Sequence, residues 1–454
     1  MRISSLFSRK KRCQHAEFSV EEGRGGCQFN IHSVETLRSL FLKHKPLRYK
    51  PLVALLGTTL RHRVMIVADG DDWQKTQRAI NPEFATSLVA GQYAPVIVQT
   101  ADQAFAALAR QPPTETGELA IDVEPLMRAV TCSVLGHILF GETLGTDEAA
   151  RTEKTLGAAT QVVPPGLLAR LNRGVGATLQ AVGLAQYQPY LLPRVQRRAV
   201  RELLAWIKTR IAQAEQLQPL PPLLASLQRR YAHRRPARQR QAIAAEYAML
   251  FIAGIETTAS ARTFAIAEIA THPAVREQAI HEARQSSTPD ANTQPVATQF
   301  PYLHCVLRET LRRHTIVPTL LRETETDYRP TAGPQSGPPV AVPVRKGATL
   351  RYLPLHGHMR RAVWENPLRF DPARFSRPLT PEQSRHYMPF GFGPQRCPGH
   401  AMATSESILI LRAFVRQFDM ETQPLASHIC EERNVVFTNR PIGVVLRVRP
   451  AQPA

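Results

Sequence analysis

One cysteine lies in a turn rich in glycine and proline, in the segment 389–403 with the sequence PFGFGPQRCPGHAMA. A thiolate can act as a nucleophile or a metal ligand, and backbone N–H groups at a helix start stabilise it. Pro398 suits the first turn of a helix, so the pattern predicts that Cys397 lies at a helix N-terminus. The glycines that would let the backbone fold tightly around the sulfur are Gly391, Gly393 and Gly399. The same pattern is also typical of a small buried cysteine before a helix.

A second group of reactive residues lies in the segment Ala253–Thr258, AGIETT, within a long apolar stretch. Glycine inside a helix costs about 1 kcal/mol against alanine, so Gly254 needs a reason. The Thr257 hydroxyl can bond the carbonyl of Ala253, which often bends a helix. With Glu256 beside it, the segment predicts a local gap with an acid and an alcohol, suited to binding a small molecule and delivering protons. The alternative is a packing notch with one surface glutamate.

A third group consists of charged residues with helical spacing. Glu309 and Arg312 are three residues apart, so they would share a helix face and could form an ion pair. Arg374, in the segment FDPARF, could join them in one network. The alternative is a surface pair, which is common and contributes little to stability.

These residues must be positioned mainly by helices, because helical periodicity dominates the chain. The central stretch 239–273 has no proline before its last residue, and the 31 residues Ala242–His272 would form a helix about 46 Å long. Further helices are predicted at 33–44, 123–141 and 197–216. Strand signals are short and late, at 340–354, 434–438 and 442–448. The pattern predicts one mainly α domain with a small β part at 33–454, after a basic, weakly patterned segment 1–32.

The composition favours a reducing compartment and an acidic partner. The six cysteines are far apart and form no CxxC pair, which argues against a disulfide scaffold or a zinc module. The formal net charge is +20, but the lysines and arginines are scattered, and the dense run Ser8–Arg12 is typical of a solvated tail. Such a field suits an acidic protein partner, and no nucleic-acid partner is expected.

The sequence predicts neither a targeting segment nor a membrane span. The first 25 residues are polar and lack the apolar core of a signal peptide. The longest apolar run, Met249–Ile255, ends at Glu256 and is well short of the roughly 18–20 residues that a span needs. We therefore expect a cytoplasmic protein.

In this order, the motifs resemble those of one family, the cytochrome P-450 haem-thiolate monooxygenases, from Ser33 to the C-terminus. The cysteine loop is similar to the family pattern Phe-Gly-x-Gly-x-Arg/His-x-Cys-x-Gly. The segment AGIETT resembles the oxygen-activating helix, and the Glu-x-x-Arg pair resembles the family motif of that spacing. Further matching positions are Gly70, Trp73, Arg78, Pro82, Phe84, Arg322, Trp364, Pro367, Phe390, Ala403 and Glu406.

The resemblance implies a cytochrome P-450 fold, mainly α with a small β part, with haem b between the long central helix and the cysteine loop. Cys397 would be the axial ligand of the haem iron, and its thiolate would favour O–O cleavage. Glu256 and Thr257 would supply protons on the distal face, and the Glu-x-x-Arg pair with Arg374 would form a structural network. The residues expected to contact haem are Trp73, Arg78, Ala253, Gly254, Arg322, Phe390, Gly391, Arg396, Cys397 and Gly399.

The reaction implied by the resemblance is oxidation of a lipophilic small molecule by O2, by hydroxylation or epoxidation. Electrons would come from a separate ferredoxin or flavodoxin and its NAD(P)H reductase, because no fused flavin or iron–sulfur segment is recognisable. One alternative is a haem-thiolate enzyme with other chemistry, such as an isomerase, dehydratase, peroxygenase or oxidative-coupling enzyme. Another is a degenerate haem-binding or sensing protein. The acid–alcohol pair favours the monooxygenase.

The sequence departs from the family pattern at two positions that usually carry a positive charge for a haem propionate. Gln77 and Gln395 occupy these positions. Glutamine donates a hydrogen bond without a charge, which predicts weaker anchoring. Arg78 and Arg396 are the neighbouring cations, although Arg78 is rotated about 100° from its neighbour on a helix. Before residue 33, the family's first helix and part of its first sheet are not recognisable.

Overall fold

The structure that positions these residues is a computed structural model. It describes residues 12–14, 18–23, 26–43, 46–49, 60–115, 117–142, 144, 194–285, 294–328, 344–420, 430–433 and 438–451. The predicted strand residues 340–343 and 434–437 lie outside these ranges.

Helices make up most of the described chain. They are α1 (Val34–Lys43), α2 (Gly70–Ile80), α3 (Ala94–Ala109), α4 (Val123–Phe140), α5 (Arg194–Ala214), α6 (Pro222–Tyr231), α7 (Pro236–Thr271), α8 (Pro273–Gln285), α9 (Val296–Gln299), α10 (Pro301–His314), α11 (Pro354–His358), α12 (Pro381–His386) and α13 (His400–Gln417). A helical turn (Thr86–Leu88) and a π turn (Val89–Tyr93) lead into α3, and 3-10 turns lie at Met65–Val67, Asn81–Phe84 and Pro372–Phe375. The helices predicted at 33–44, 123–141 and 197–216 are confirmed as α1, α4 and α5.

The central helix α7 is longer than the sequence predicts. Its 36 residues correspond to about 54 Å. It begins at Pro236, whose ring suits a first helical turn, and ends two residues before Pro273. The prediction started too late because residues 236–241 are mostly polar and carry no apolar periodicity. From Ala242 onward most side chains are buried, and the helix packs against α4, α5, α10 and α13.

The described strands form three sheets. They are β1 (Arg12–Gln14), β2 (Phe18–Gly23), β3 (Gly26–Ile31), β4 (Leu47–Arg48), β5 (Leu119–Asp122), β6 (Leu320–Glu323), β7 (Thr349–Tyr352), β8 (Phe418–Met420), β9 (Cys430–Arg433), β10 (Asn439–Ile442) and β11 (Val445–Pro450). The main sheet has the order β1–β2–β3–β7–β6–β4, and the smaller sheets have the orders β5–β11–β8 and β10–β9.

The segment before residue 33 contributes three strands to the main sheet, which corrects the expectation that strands occur only late. β3 pairs parallel with β7, with Gln28 opposite Thr349, and antiparallel with β2. Strand formation depends strongly on such distant partners, so the local pattern of 12–31 gave little sign of it. These strands therefore belong to the same sheet as β7.

Two described helices, α4 and α7, are long and apolar enough to cross a membrane by length and composition alone. Uninterrupted apolar runs do not reveal these two helices, because polar residues interrupt the apolar sequence of each one. Within the apolar windows, 72% of the α4 residues and 67% of the α7 residues are buried inside the fold. Burial in the core accounts for their apolar character.

Candidate haem-thiolate site

Cys397 lies at the end of a tight loop that leads into α13. The loop turns through Gly391 at φ +72° and Gly393 at φ +70°, a region in which residues with a Cβ are strained. The Cys397 N–H donates to the carbonyl of Phe390 at 3.0 Å, and the Arg396 N–H donates to Gly393 at 3.1 Å. These bonds hold the cysteine just before the first residue of the helix.

Cys397 is exposed as a residue, although protein atoms surround its thiol closely. Desolvation raises the pKa of the thiol above its ordinary value, whereas the Gly399 N–H and the charge of Arg396 lower it. Because the residue is exposed, Cys397 is not the small buried cysteine of the alternative interpretation. A metal bound to the thiol would deprotonate it outright.

The middle of α7 carries an accessible strip within a largely buried helix. Ala253, Glu256 and Thr257 are half-buried, whereas Ile255 and Thr258 beside them are buried. The acid and the alcohol are three and four residues after the alanine, so the three share one helix face. The Thr257 hydroxyl donates to the Ala253 carbonyl at 2.7 Å. An acid and an alcohol therefore border accessible space on the central helix.

Gly254 has a packing role besides the cofactor contact expected for it. A Cβ built at this position would lie 2.8 Å from Leu135 Cδ1 on α4, so the glycine permits α7 and α4 to pack closely. This is the packing notch that the sequence left as an alternative. Gly254 is itself half-buried, like Ala253 and Thr257, so the close packing with Leu135 is a role in addition to the predicted cofactor contact.

Glu309, Arg312 and Arg374 come together in one buried network. Arg312 binds both carboxylate oxygens of Glu309, with Nε–Oε2 at 2.7 Å and Nη2–Oε1 at 2.8 Å, and both side chains are fully buried. Arg374 Nε lies 3.4 Å from the same Oε1. Arg312 also donates to the carbonyls of His358 at 2.8 Å and Pro367 at 2.9 Å. The group is therefore not a surface pair, and it ties α10 to the chain that leads to the cysteine loop.

His358 lies beside this network in a fixed neutral form. Its Nε2 accepts the N–H of Met388 at 3.1 Å, and its Nδ1 lies 2.8 Å from the Thr315 hydroxyl. Complete burial, with the positive charge of Arg312 adding to it, lowers the pKa of His358 to about 3. The bond to Met388 places this histidine directly against the start of the cysteine loop.

We expect the protein to lose stability as the pH falls below about 6.5, where the unfolded chain protonates its histidines but folded His358 stays neutral. His358 alone should lower the free energy of unfolding by roughly 1.4 kcal/mol for each unit that the pH falls, until the pH reaches the pKa of folded His358. Urea unfolding at a series of pH values measures the slope. His358→Gln should flatten the curve, and the exposed control His233→Gln should not. Equal slopes in His358→Gln and the unmodified protein would contradict this assignment.

A second buried ion pair, which the sequence analysis missed, joins α7 to α13. Arg262 Nη1 lies 2.8 Å from Glu406 Oε1, both side chains are buried, and Arg262 also contacts the hydroxyl of Thr131 on α4. Burial raises the pKa of Glu406, and Arg262 opposes the shift. The pair constrains the cysteine helix against the central helix. Its sequence signal is one charged residue inside each of two apolar stretches, because a buried charge needs a partner.

The helix α2 presents a different face to the site from the one expected. Gln77 Nε2 donates to the carbonyl of Pro394 in the cysteine loop at 2.9 Å. Trp73, four residues earlier, is half-buried on the same face. Arg78 is exposed on another face, so the structure does not bring it to the other candidate residues. Gln77 therefore holds the loop, and its amide is engaged there.

The residues present fit a haem. The Arg322 Nε is buried without a hydrogen-bond partner, and so is the Nε of Arg48, which the sequence analysis did not single out. These orphaned cationic groups suit the carboxylates of a haem. The exposed Cys397 would supply a thiolate for its iron.

Two kinds of comparison with known proteins agree with this geometry. The family model described as Cytochrome P450, here written cytochrome P-450, matches residues 27–446. The chain is 32% identical over 186 residues to probable cytochrome P-450 6a14 of Drosophila melanogaster, and 31% identical over 216 residues to cytochrome P-450 3A12 of Canis lupus familiaris. These alignments cover 39% and 46% of this chain but only 34% and 40% of the two relatives.

Among solved structures, the heme domain of a cytochrome P-450DA mutant matches the chain with a TM-score of 0.70 at 20% identity. The match covers 96% of this chain and 90% of that one, so it supports the mainly α fold expected from the sequence. Haem is the cofactor that the family supports. The match of the family model to most of the chain shows that the protein belongs to the cytochrome P-450 family.

Proposed function

We propose that the protein is a haem-dependent monooxygenase acting on a lipophilic small molecule. The observation that carries the proposal is the exposed residue Cys397 in the loop that leads into α13. This helix packs against α7, whose accessible strip holds Glu256 and Thr257. Bound haem supplies the oxygen chemistry and the electron transfer. One oxygen atom enters a C–H or C=C bond of the substrate, and the other leaves as water with two electrons and two protons supplied.

The protein's own part is to place protons. The Thr257 hydroxyl spends its proton on the Ala253 carbonyl, so its oxygen can accept a hydrogen bond from a water or ligand in the accessible space. Glu256 lies on the same helix face and is half-buried. A carboxylate in that place can pass protons inward as a general acid.

A lipophilic substrate is supported by the side chains near the strip. Two half-buried apolar residues on α7 near the strip are Leu250 and Ile252. Others at the start of β6 and just before it are Val317, Leu320 and Leu321. The family resemblance also implies substrate contacts in the loop after Gly57 and at 161–192, and residues 57–59 and 161–192 lie outside the described residues. Titration of the ferric protein with a panel of apolar and charged compounds should give haem spin-state shifts with the apolar ones. Tighter binding of highly charged compounds would contradict this substrate class.

We further propose that the electrons come from a separate acidic ferredoxin or flavodoxin with its NAD(P)H reductase. The net charge of +20 and the exposed Arg396 beside the thiolate loop support an acidic partner. Raising the salt concentration should slow haem reduction by such a protein, because salt screens exposed charges. A reduction rate insensitive to salt would contradict electrostatic docking.

Turnover in isotopically labelled oxygen tests the reaction itself. With NAD(P)H and a ferredoxin pair, the product should contain one labelled oxygen atom. Peroxide-driven turnover that matches or exceeds this reaction would favour the peroxygenase alternative instead.

We also propose a cytoplasmic location. Among the described residues, Cys305 and Cys397 are free thiols, as a reducing compartment allows. Fractionation of the source cells tests this, and recovery of the protein with membranes would contradict it.

A further inference from the structure

Arg48 lies opposite Arg322 in the main sheet. The antiparallel register of β4 and β6 pairs these residues directly. Residues directly opposite in such a pair project from the same sheet face, with Cβ atoms about 4.5–5.5 Å apart. The Nε of each is buried and has no hydrogen-bond partner. Two guanidinium groups with unused donors therefore lie side by side.

The pair carries more positive charge than its surroundings balance. Burial lowers the pKa of Arg48 to about 9, with repulsion from Arg322 adding to it, and lowers that of Arg322 to about 10. Both groups still carry their charge at neutral pH. Asp69 is the carboxylate that acts on both, and it accepts the Arg48 backbone N–H at 3.2 Å and 3.3 Å. Asp69 also pairs with the exposed Arg63, so it does not balance both guanidinium groups of the buried pair, and a further carboxylate would be bound favourably there.

The pair lies beside the cysteine loop. Asp69 directly precedes α2, whose Gln77 bonds the loop. The Arg322 guanidinium lies 5.5 Å from the ring centre of Phe41, and that ring lies 5.4 Å from the ring of Phe392 in the loop. The two cations thus lie where the main sheet, the start of α2 and the thiolate loop meet.

We propose that Arg48 and Arg322 together hold one haem propionate, and that Arg48 supplies the charge that Gln77 and Gln395 lack. The amide of Gln77 is engaged with Pro394, so it does not replace a cation there. The planar guanidinium forks of the arginine pair match a carboxylate, which accepts several such bonds. The proposal rests on haem as the cofactor and adds a residue that the family motifs of this sequence do not include.

Haem retention of the holoprotein tests the proposal. Arg48→Gln should release haem to excess apomyoglobin roughly 10- to 100-fold faster, because a hydrogen-bonded charge is lost. The control is Arg63→Gln, which removes an exposed arginine that contacts the same Asp69 at 3.4 Å. This control should release haem within about twofold of the unmodified protein. Arg48→Lys keeps the charge without the fork, so it should give an intermediate rate.

The outcomes separate this proposal from the haem-thiolate account. The reduced, CO-bound spectrum of Arg48→Gln should keep the thiolate red shift, because Cys397 is untouched. Equal release rates in Arg48→Gln and Arg63→Gln would overturn the role of Arg48. If Arg48→Gln does not fold, Arg48→Lys carries the test, and a rate equal to the unmodified protein overturns the role. Absence of the red shift in the unmodified protein would instead refute thiolate ligation itself.

Discussion

Replacing Arg312 by leucine is expected to lower the free energy of unfolding by about 3–5 kcal/mol. The substitution leaves the buried Glu309 carboxylate without its bidentate partner, and an uncompensated buried charge costs that much. It also removes the donors to the carbonyls of His358 and Pro367. Because these carbonyls lie on the chain that leads to the cysteine loop, haem content should fall as well. Urea unfolding followed by far-UV circular dichroism measures the change.

The chain offers a matched control with the same spacing. Arg385 and Glu382 form an Arg–Glu ion pair three residues apart at 2.7 Å, but 49% and 44% of their side chains are exposed. Arg385→Leu should therefore cost about 0.5 kcal/mol or less. Similar losses in Arg312→Leu and Arg385→Leu would show that burial of the first pair contributes nothing.

Replacing Thr257 by valine is expected to reduce product formed per NAD(P)H consumed by about 10- to 100-fold. Valine keeps the shape of the side chain but removes the hydroxyl oxygen that can accept a hydrogen bond from a water or ligand beside the accessible space. Groups that position protons contribute effects of about this size or larger. NAD(P)H should still be consumed, with the electrons released as hydrogen peroxide. Both products are measured with a lipophile that shifts the ferric spin state.

Thr263→Val is the control for this experiment. Thr263 lies on the same helix and donates to the carbonyl four residues earlier at 2.9 Å, but it is fully buried away from the strip. Its replacement should leave the ratio of product to NAD(P)H unchanged within about twofold. Equal loss of coupling in the two variants would assign the effect to helix packing rather than to the Thr257 hydroxyl.

The sequence predicted best those features that are local. The Cys397 turn, the hydroxyl bond of Thr257 and the helix spacing of Glu309 and Arg312 all depend on residues within seven positions of each other. The glycines predict the tight turn, the threonine predicts the bond to a carbonyl four residues earlier, and the i,i+3 spacing predicts a shared helix face. The order of the motifs favoured a contact between Arg374 and Glu309, and the two side chains lie 3.4 Å apart.

Features that depend on distant partners were missed or misassigned. Gly254 faces Leu135 across the interface of α7 and α4. The sequence around a glycine inside a helix does not indicate which neighbouring helix requires the glycine. Arg262 and Glu406 pair across two helices. Strand β3 pairs with β7 far along the chain, and β2 and β1 extend the sheet from β3. Nothing in the sequence distinguishes Arg48 from the other scattered arginines. Its role depends on the register of β4 and β6, which pairs it with Arg322.

The reduced, CO-bound absorption spectrum tests the central claim most directly, that Cys397 binds the haem iron as a thiolate. The unmodified protein should show the red-shifted Soret band of thiolate ligation, and Cys397→Ala should lose it. The control Cys305→Ala, which removes a buried thiol packed against Trp364, should keep the red shift. An unmodified protein without the shift, or a Cys397→Ala variant that retains it, would contradict the account.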